Sequence, residues 1–481
     1  MKFFAPFAPL RDGAIALFVA TLLNANSLHA ESNWPQFRGP NGSGIAADGK
    51  PPIHFGLTTN LIWKTNLPPG NSSPCIWSDR IFLTAFADGK LETLCLDRRD
   101  GKILWRQTAP TEKTEPTHRL GNPATPTPAT DGRRVYVYFG SFGLLAYDFA
   151  GKEVWRKPLA TPVVEFGTSA SPILAGEMVI LVCDQDLGSY LLAVESATGK
   201  TIWKTDRAEF RRSFATPFVW RHGGGEELIV PGSLWLKSYN LKDGSERWTV
   251  RGTSRVACSS PVAGDEMLFS ASWNVGGDAS DRITMPSFDE FAAEHDTNKD
   301  GVLSRDEIPA GPIRDRFNQI DLNKDGLATP EEWKNMAEMF AKAGNALLAI
   351  RPGGRGDITA THVTWSSTRS LPYVSSPLFY EGRLYTMKNG GLASCYDAKT
   401  GKAFYQDERV GAPGDYYSSA VAAAGNIYVA SQNGVIVVLG AGEKFEMLAR
   451  TDFGEQIMAT PAIVDGKIYV RTEKQLCAFG R

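Results

Sequence analysis

Four segments of the chain run through a glycine turn and stop on tryptophan: LDRRDGKILW at Trp105, YDFAGKEVW at Trp155, ESATGKTIW at Trp203 and NLKDGSERW at Trp248. A fifth, YDAKTGKAFY, stops on Tyr405. The tryptophans are spaced by 50, 48 and 45 residues, the scale of a four-stranded propeller blade. In each unit the glycine allows a tight turn between two short strands, and the closing aromatic is large enough to pack on the neighbouring sheet.

A second pattern counts the units. A small residue, a proline, an apolar residue, a turn and an alternating strand recur at Pro74, Pro128, Pro172, Pro217, Pro261, Pro377 and Pro461, with Ala420 in place of proline in one copy. Eight units result, and their intervals are 54, 44, 45, 44, 116, 43 and 41 residues. The interval of 116 holds about 70 residues too many for one repeat. The excess belongs between the second and third strands of the fifth unit, because NALLAIRP and THVTWSS beyond it read as that unit's missing strands. The last unit ends at QLCAFGR without its aromatic strand, while NLIWKTN around Trp63 stands alone near the start. A ring closed by that N-terminal strand accounts for both and leaves no open edge. The expected fold is therefore all-β: an eight-bladed propeller with a small helical insertion in blade five. The expected divisions are a signal peptide over 1–30, propeller over 31–274, insertion over 275–344 and propeller over 345–481.

The insertion carries two loops of EF-hand type. Asp296, Asn298, Asp300, Val302, Ser304 and Glu307 fill the ligand positions of the first, and Asp321, Asn323, Asp325, Leu327, Thr329 and Glu332 those of the second. This spacing wraps hard oxygens around one ion, with the carbonyls of Val302 and Leu327 contributing, so calcium is the expected cofactor. Pro309, Gly311 and Pro312 leave little room for a full helix between the loops. A compact pair is expected rather than a switch that opens.

The 51 basic and 53 acidic residues nearly balance, which gives no electrostatic basis for nucleic acid or an anionic membrane. Lys2 and Arg11 before AIALFVATLL, ending in SLHA, read as an export signal cut after Ala30. No later apolar run has the roughly 20 residues that span a bilayer, so a periplasmic or secreted location is expected. Cys95, Cys395 and Cys477 fall at one repeated strand position and read as small buried thiols. Spacing leaves pairing between neighbouring copies open.

The DxxTGKxxW-type units resemble the large family of PQQ-like eight-bladed propellers, named for quinoprotein alcohol dehydrogenases and including the outer-membrane assembly propeller. The resemblance extends from Trp34 onward except in the insertion. The opening NWPQFRGPNGSGIA, residues 33–46, is similar to exported propellers of planctomycete-like bacteria, several of which carry calcium-loop insertions. The quinoprotein resemblance implies an adjacent cysteine pair, a tryptophan platform, and acidic and amide groups around a cation. No two cysteines are adjacent in this chain, and no catalytic or cofactor-binding set is assigned.

Other chemistries lack their motifs. His118, His222 and His362 are far apart and without metal-ligand spacing, and no Gly-x-Ser-x-Gly elbow or phosphate loop occurs. RGD at Arg355–Asp357 is too short to carry a function by itself. The loops that precede the inner strands meet on one face of a closed propeller. They carry His118, Arg119, Glu165, Arg211, Arg212, Arg255, Arg369, Tyr373, Asp415, Tyr416 and Glu455. That face is the candidate ligand surface, and the insertion should stand beside it. The expected function is non-catalytic binding or scaffolding of a protein or glycan partner. The alternative is a PQQ-like oxidoreductase or carbohydrate-active enzyme working through the same charges.

Overall fold

The computed structural model describes residues 33–481. The export signal expected over residues 1–30 lies outside them. Eight antiparallel sheets form eight blades, and the fourth carries a short fifth strand. Blade two shows the common plan: Ala129–Thr130, Arg134–Phe139, Gly143–Asp148 and Glu153–Pro158, from the axis outward. Its second and third strands are almost wholly buried, whereas the outermost alternates between exposed and covered residues. Inner strands packed on both faces need continuous apolar runs, while an outer strand needs only one apolar side.

In units one to three the closing aromatic is an inter-blade joint. Trp105 Nε1 donates to the Phe149 carbonyl of the next blade at 3.0 Å, Trp155 to Ser196 at 2.9 Å and Trp203 to Leu241 at 3.0 Å. Each indole lies on the turn glycine of that blade. A Cβ on Gly151 would stand 2.8 Å from Trp105, and one on Gly199 2.7 Å from Trp155. Only glycine allows such an approach, and its positive φ suits the turn. The repeated G…W pairing therefore joins blades two, three and four each to the one before it.

The ring closes through Leu61–Asn66, which pairs antiparallel with Gln475–Phe479 and completes blade eight. Trp63 then donates to Arg98 of blade one at 3.0 Å, so the seam carries the same joint as those that follow blades one to three. Closure leaves the propeller without an unpaired end.

The insertion leaves blade five after Met267–Ser272 and returns at Ala346–Ile350, and Ser272 pairs directly with Ala346. Helix Phe288–His295, the short helix Phe317–Ile320 and helix Pro330–Lys342 surround a core of Leu303, Ile308, Phe317, Ile320, Trp333, Met336 and Phe340. Thr329 and Glu332 cap the last helix reciprocally. Between the loops only one 3-10 turn and four helical residues form, as the Pro309–Pro312 stretch requires. No described helix is long and apolar enough to cross a membrane. All six cysteines are free thiols.

Candidate functional site

The innermost strands enclose an axial cavity of about 300 Å3. One end is shut by the N-terminal segment, which crosses the inner strands of six blades. Trp34 exchanges backbone hydrogen bonds with Ile76 of blade one, and Pro35 O accepts from Thr130 N of blade two. Gln36 Oε1 accepts from Leu174 N of blade three, and Asn41 Nδ2 donates to Val219 O of blade four. Arg38 reaches Pro377 O of blade six, and Gly44 and Ala46 bond to Ala422 of blade seven. Phe37, carried on this segment, lines the cavity.

Each blade contributes one hydroxyl to a ring in the cavity wall: Ser73, Thr127, Ser171, Thr216, Ser260, Ser376, Ser419 and Thr460, and Thr125, Thr168 and Ser169 line the cavity outside that ring. The ring is directed. Ser73 N donates to Thr127 Oγ1 (2.9 Å), Thr127 N to Ser171 Oγ (2.9 Å) and Ser171 N to Thr216 Oγ1 (3.0 Å). Beyond blade five, Ser260 N donates to Ser376 Oγ, Ser376 N to Ser419 Oγ, Ser419 N to Thr460 Oγ1 and Thr460 N back to Ser73 Oγ, all at 3.0 Å. The link from Thr216 to Ser260 is open. Every closed link satisfies a buried backbone N–H. None of the eight hydroxyls donates to a protein acceptor among the described residues, so their O–H groups remain for whatever fills the cavity.

Above the ring the wall is aromatic: Phe166, Phe214, Tyr373 and Tyr417, with His118, Leu120, Cys258 and Met458 between them. No lysine, arginine, aspartate or glutamate lines the cavity. Burial pushes the Cys258 thiol up to about 12. The adjacent Cys258 and burial hold the Tyr373 phenol above its ordinary range, and burial raises Tyr417. These three groups therefore stay protonated and uncharged at neutral pH.

The residues expected on the ligand face separate into three sets. His118 and Tyr373 line the cavity. Arg211, Arg212, Arg255 and Glu165 belong to a network under the insertion. Arg212 grips Asp186 with Nε at 2.7 Å and reaches Glu165 at 3.1 Å, Arg211 donates to Gln319 O at 2.5 Å, and Arg255 donates to Gln319 Oε1 at 2.9 Å. Burial lowers Arg211 and Arg255 to about 10. Lys324 of the insertion adds a contact to Asp186 at 3.7 Å. The remaining residues lie around these: Arg119 and Arg369 are exposed, Asp415 is half-buried, Glu455 accepts from Thr472 Oγ1, and Tyr416 is core, donating to Ala412 O. The hydroxyl ring escaped the sequence reading. Its signal was present, because the residue before each marker proline, and before Ala420, is serine or threonine in all eight copies.

The calcium expectation is corrected. Among the described residues no group of three or more His, Cys, Asp or Glu side chains is placed to hold a metal ion. The loop oxygens bind their own backbone. Glu307 accepts from the N–H groups of Thr297 and Ser304, with the Ser304 hydroxyl added, and Glu332 from Leu322, Thr329 and the Thr329 hydroxyl. Asp296 accepts from Gly301 N and Asp321 from Gly326 N. Asp300 accepts from Val302 N and Asn298 Nδ2, and Asp325 from Leu327 N and Asn323 Nδ2. Hydrogen bonds internal to the loops thus engage each of these carboxylates, with Asp296 Oδ1 alone left without a partner.

The family model described as outer membrane protein assembly factor BamB matches residues 89–269, and an EF-hand model matches residues 313–337. No curated protein matches the chain. Among solved structures, BamB from Moraxella catarrhalis has a TM-score of 0.55 at 11% identity, covering 88% of this chain and 99% of its own. The quinohemoprotein alcohol dehydrogenase ADHIIG from Pseudomonas putida has a TM-score of 0.54 at 13% identity, covering 93% and 80%. A europium-containing methanol dehydrogenase has 0.52 at 10%, covering 94% and 98%. These likenesses establish the eight-bladed fold, which occurs in an assembly factor and in dehydrogenases alike. The quinone set does not fit this cavity. Cys258 is its one cysteine and is followed by Ser259, and no tryptophan or acidic side chain lines it.

Proposed function

We propose that the protein is a non-catalytic recognition propeller, periplasmic or secreted, that takes the end of a neutral glycan into the channel mouth. The observation that carries this reading is the cavity wall: aromatic faces, a ring of hydroxyls and no charged side chain. A sugar ring offers C–H faces to aromatics and oxygens to hydroxyl donors, and it needs no counter-ion. The volume of about 300 Å3 stands at the small end of ligand pockets, which suits one ring entering end-on rather than a polymer lying across. The arginines that sequence places nearby are engaged with Asp186, Glu165 and Gln319, so they hold the insertion beside the mouth. The assembly-factor match over residues 89–269 supports a scaffolding role for the outer surface.

The test is calorimetric titration of a panel of neutral and acidic oligosaccharides into wild type and Phe166→Ala. Phe166 stands at the rim, 36% exposed, so its removal leaves the core intact. The expected result is a binding saccharide whose affinity falls about tenfold in the variant, the worth of one stacked ring. A silent panel, or equal affinity in both proteins, contradicts the reading.

A further inference from the structure

The three hydroxyl residues that line the cavity outside the ring differ from the ring members in what they can offer a ligand. Thr125 Oγ1 donates to Asn122 O at 2.6 Å, Thr168 Oγ1 to Glu115 Oε1 at 2.8 Å and Ser169 Oγ to Phe214 O at 3.1 Å. A hydroxyl has one proton to give, so with that proton engaged only its lone pairs remain. Each ring hydroxyl, by contrast, accepts from a backbone N–H and keeps its proton. Exposure separates the two sets as well: the three lie half-buried in the wall, whereas all eight ring residues are buried. The cavity thus offers protons from its ring and acceptors from these three residues.

The acceptors are gathered on one side of the mouth. Thr125 belongs to the loop before blade two, and Thr168 and Ser169 to the loop before blade three, which also carries Phe166. In a ring of eight, blades six and seven stand opposite blades two and three. The loops before them bring Tyr373 and Tyr417 to the cavity, and neither phenol makes a hydrogen bond among the described residues. Acceptors on one wall therefore face phenol protons on the other. We infer that Thr125, Thr168 and Ser169 are specificity-determining acceptors, which select a saccharide end with a free O–H or N–H donor on this side and reject an end capped there as a methyl ether. The ether brings no proton and leaves half-buried oxygens without a partner, which costs more than a hydrogen bond made in water gains. The inference rests on the glycan reading and adds to it the chemistry of the end that enters.

The experiment titrates cellobiose and N,N′-diacetylchitobiose, each free and per-O-methylated, into wild type, Thr168→Val and Ser169→Ala by calorimetry. It is run at pH 8, where Glu115, raised by burial to about 7, is ionised and can only accept from Thr168. O-methylated cellobiose has no donor left, while O-methylated chitobiose keeps its amide N–H. Loss of both methylated compounds assigns the donor as a hydroxyl, and loss of methylated cellobiose alone assigns it as the amide. In either case wild type should prefer the donor-bearing ligand about tenfold or more. Thr168→Val exchanges the hydroxyl for a methyl group of similar size, so it should weaken every ligand that carries the donor and leave the others unchanged. Should Thr168→Val fail to fold, Ser169→Ala makes the same comparison. Measurable and equal binding of free and methylated cellobiose, or affinities that neither variant alters, overturn the inference and leave the glycan reading standing. Silence from all four compounds overturns it too, and the wider saccharide panel then decides whether the glycan reading falls with it.

Discussion

The joint between blades three and four differs from the joint between blades four and five. At the first, Trp203 lies on Gly244 and donates to Leu241 O of the next blade. At the second, Trp248 turns back to Glu227 Oε2 of its own blade, at 2.6 Å. Blade five has no glycine turn to receive it. Its outer loop instead lays Gly356–Asp357 parallel to Trp248 and Thr249, and Arg251 pairs with Asp357 at 2.6 Å. The open link of the hydroxyl ring, Thr216 to Ser260, falls at the same seam. A repeated apolar joint has thus been replaced by strand addition and polar contacts beside the blade that carries the insertion. The repeat therefore tolerates insertion because a blade can be joined to its neighbour in more than one way.

Substitutions on each side should break or sharpen that contrast, and the apolar joint should give the largest effect. Trp203→Ala removes a buried indole and should cost about 3–5 kcal/mol, measured by denaturant unfolding. A loss below that of Trp248→Phe would reverse the comparison. Next is Glu115, near the regular side of the mouth. Burial raises its carboxyl from the ordinary 4.5 to about 7, against the Thr168 hydroxyl bond that lowers it. Because the folded pKa lies above the unfolded one, its contribution is full below pH 4.5 and is lost as pH rises through 7. Glu115→Gln should therefore match wild type near pH 4.5 and exceed it at pH 8 by about 2–3 kcal/mol. Equal melting temperatures at pH 8 would contradict the assignment.

Trp248→Phe probes the replacement joint. It removes one donor from Glu227, which retains Ser238 Oγ and His222, and should cost about 1–3 kcal/mol. The smallest effect is expected for Asp357→Ala, which breaks an exposed pair with Arg251 and should change stability by about 0.5 kcal/mol. A cost equal to that of Trp203→Ala would mean that the added strand, rather than Trp248, holds blades four and five together.

Much of this architecture was legible because propeller contacts are periodic in sequence. The turn glycines and closing tryptophans identified the blades, the interval of 116 residues located the insertion, and the isolated Trp63 strand identified the seam. The threading of residues 34–46 under six blades was not legible, since its partners lie up to hundreds of residues away and share no local pattern. The partners of Arg212 and Arg211 were hidden for the same reason: Asp186 and Gln319 sit on other loops. The hydroxyl ring lay in plain view as serine or threonine before each marker, but it was read only as small. In the insertion, loop spacing was clear from sequence, whereas the turning of Glu307 and Glu332 onto their own loops required coordinates.

The proposed recognition site is the neutral cavity. The most direct test follows the 13C-labelled methionine methyl groups during saccharide titration, because Met458 lines the cavity and Met336 lies in the insertion core. The account predicts a saturable shift of the Met458 signal with Met336 unmoved. A saccharide that binds while leaving Met458 unchanged would place recognition elsewhere and contradict it.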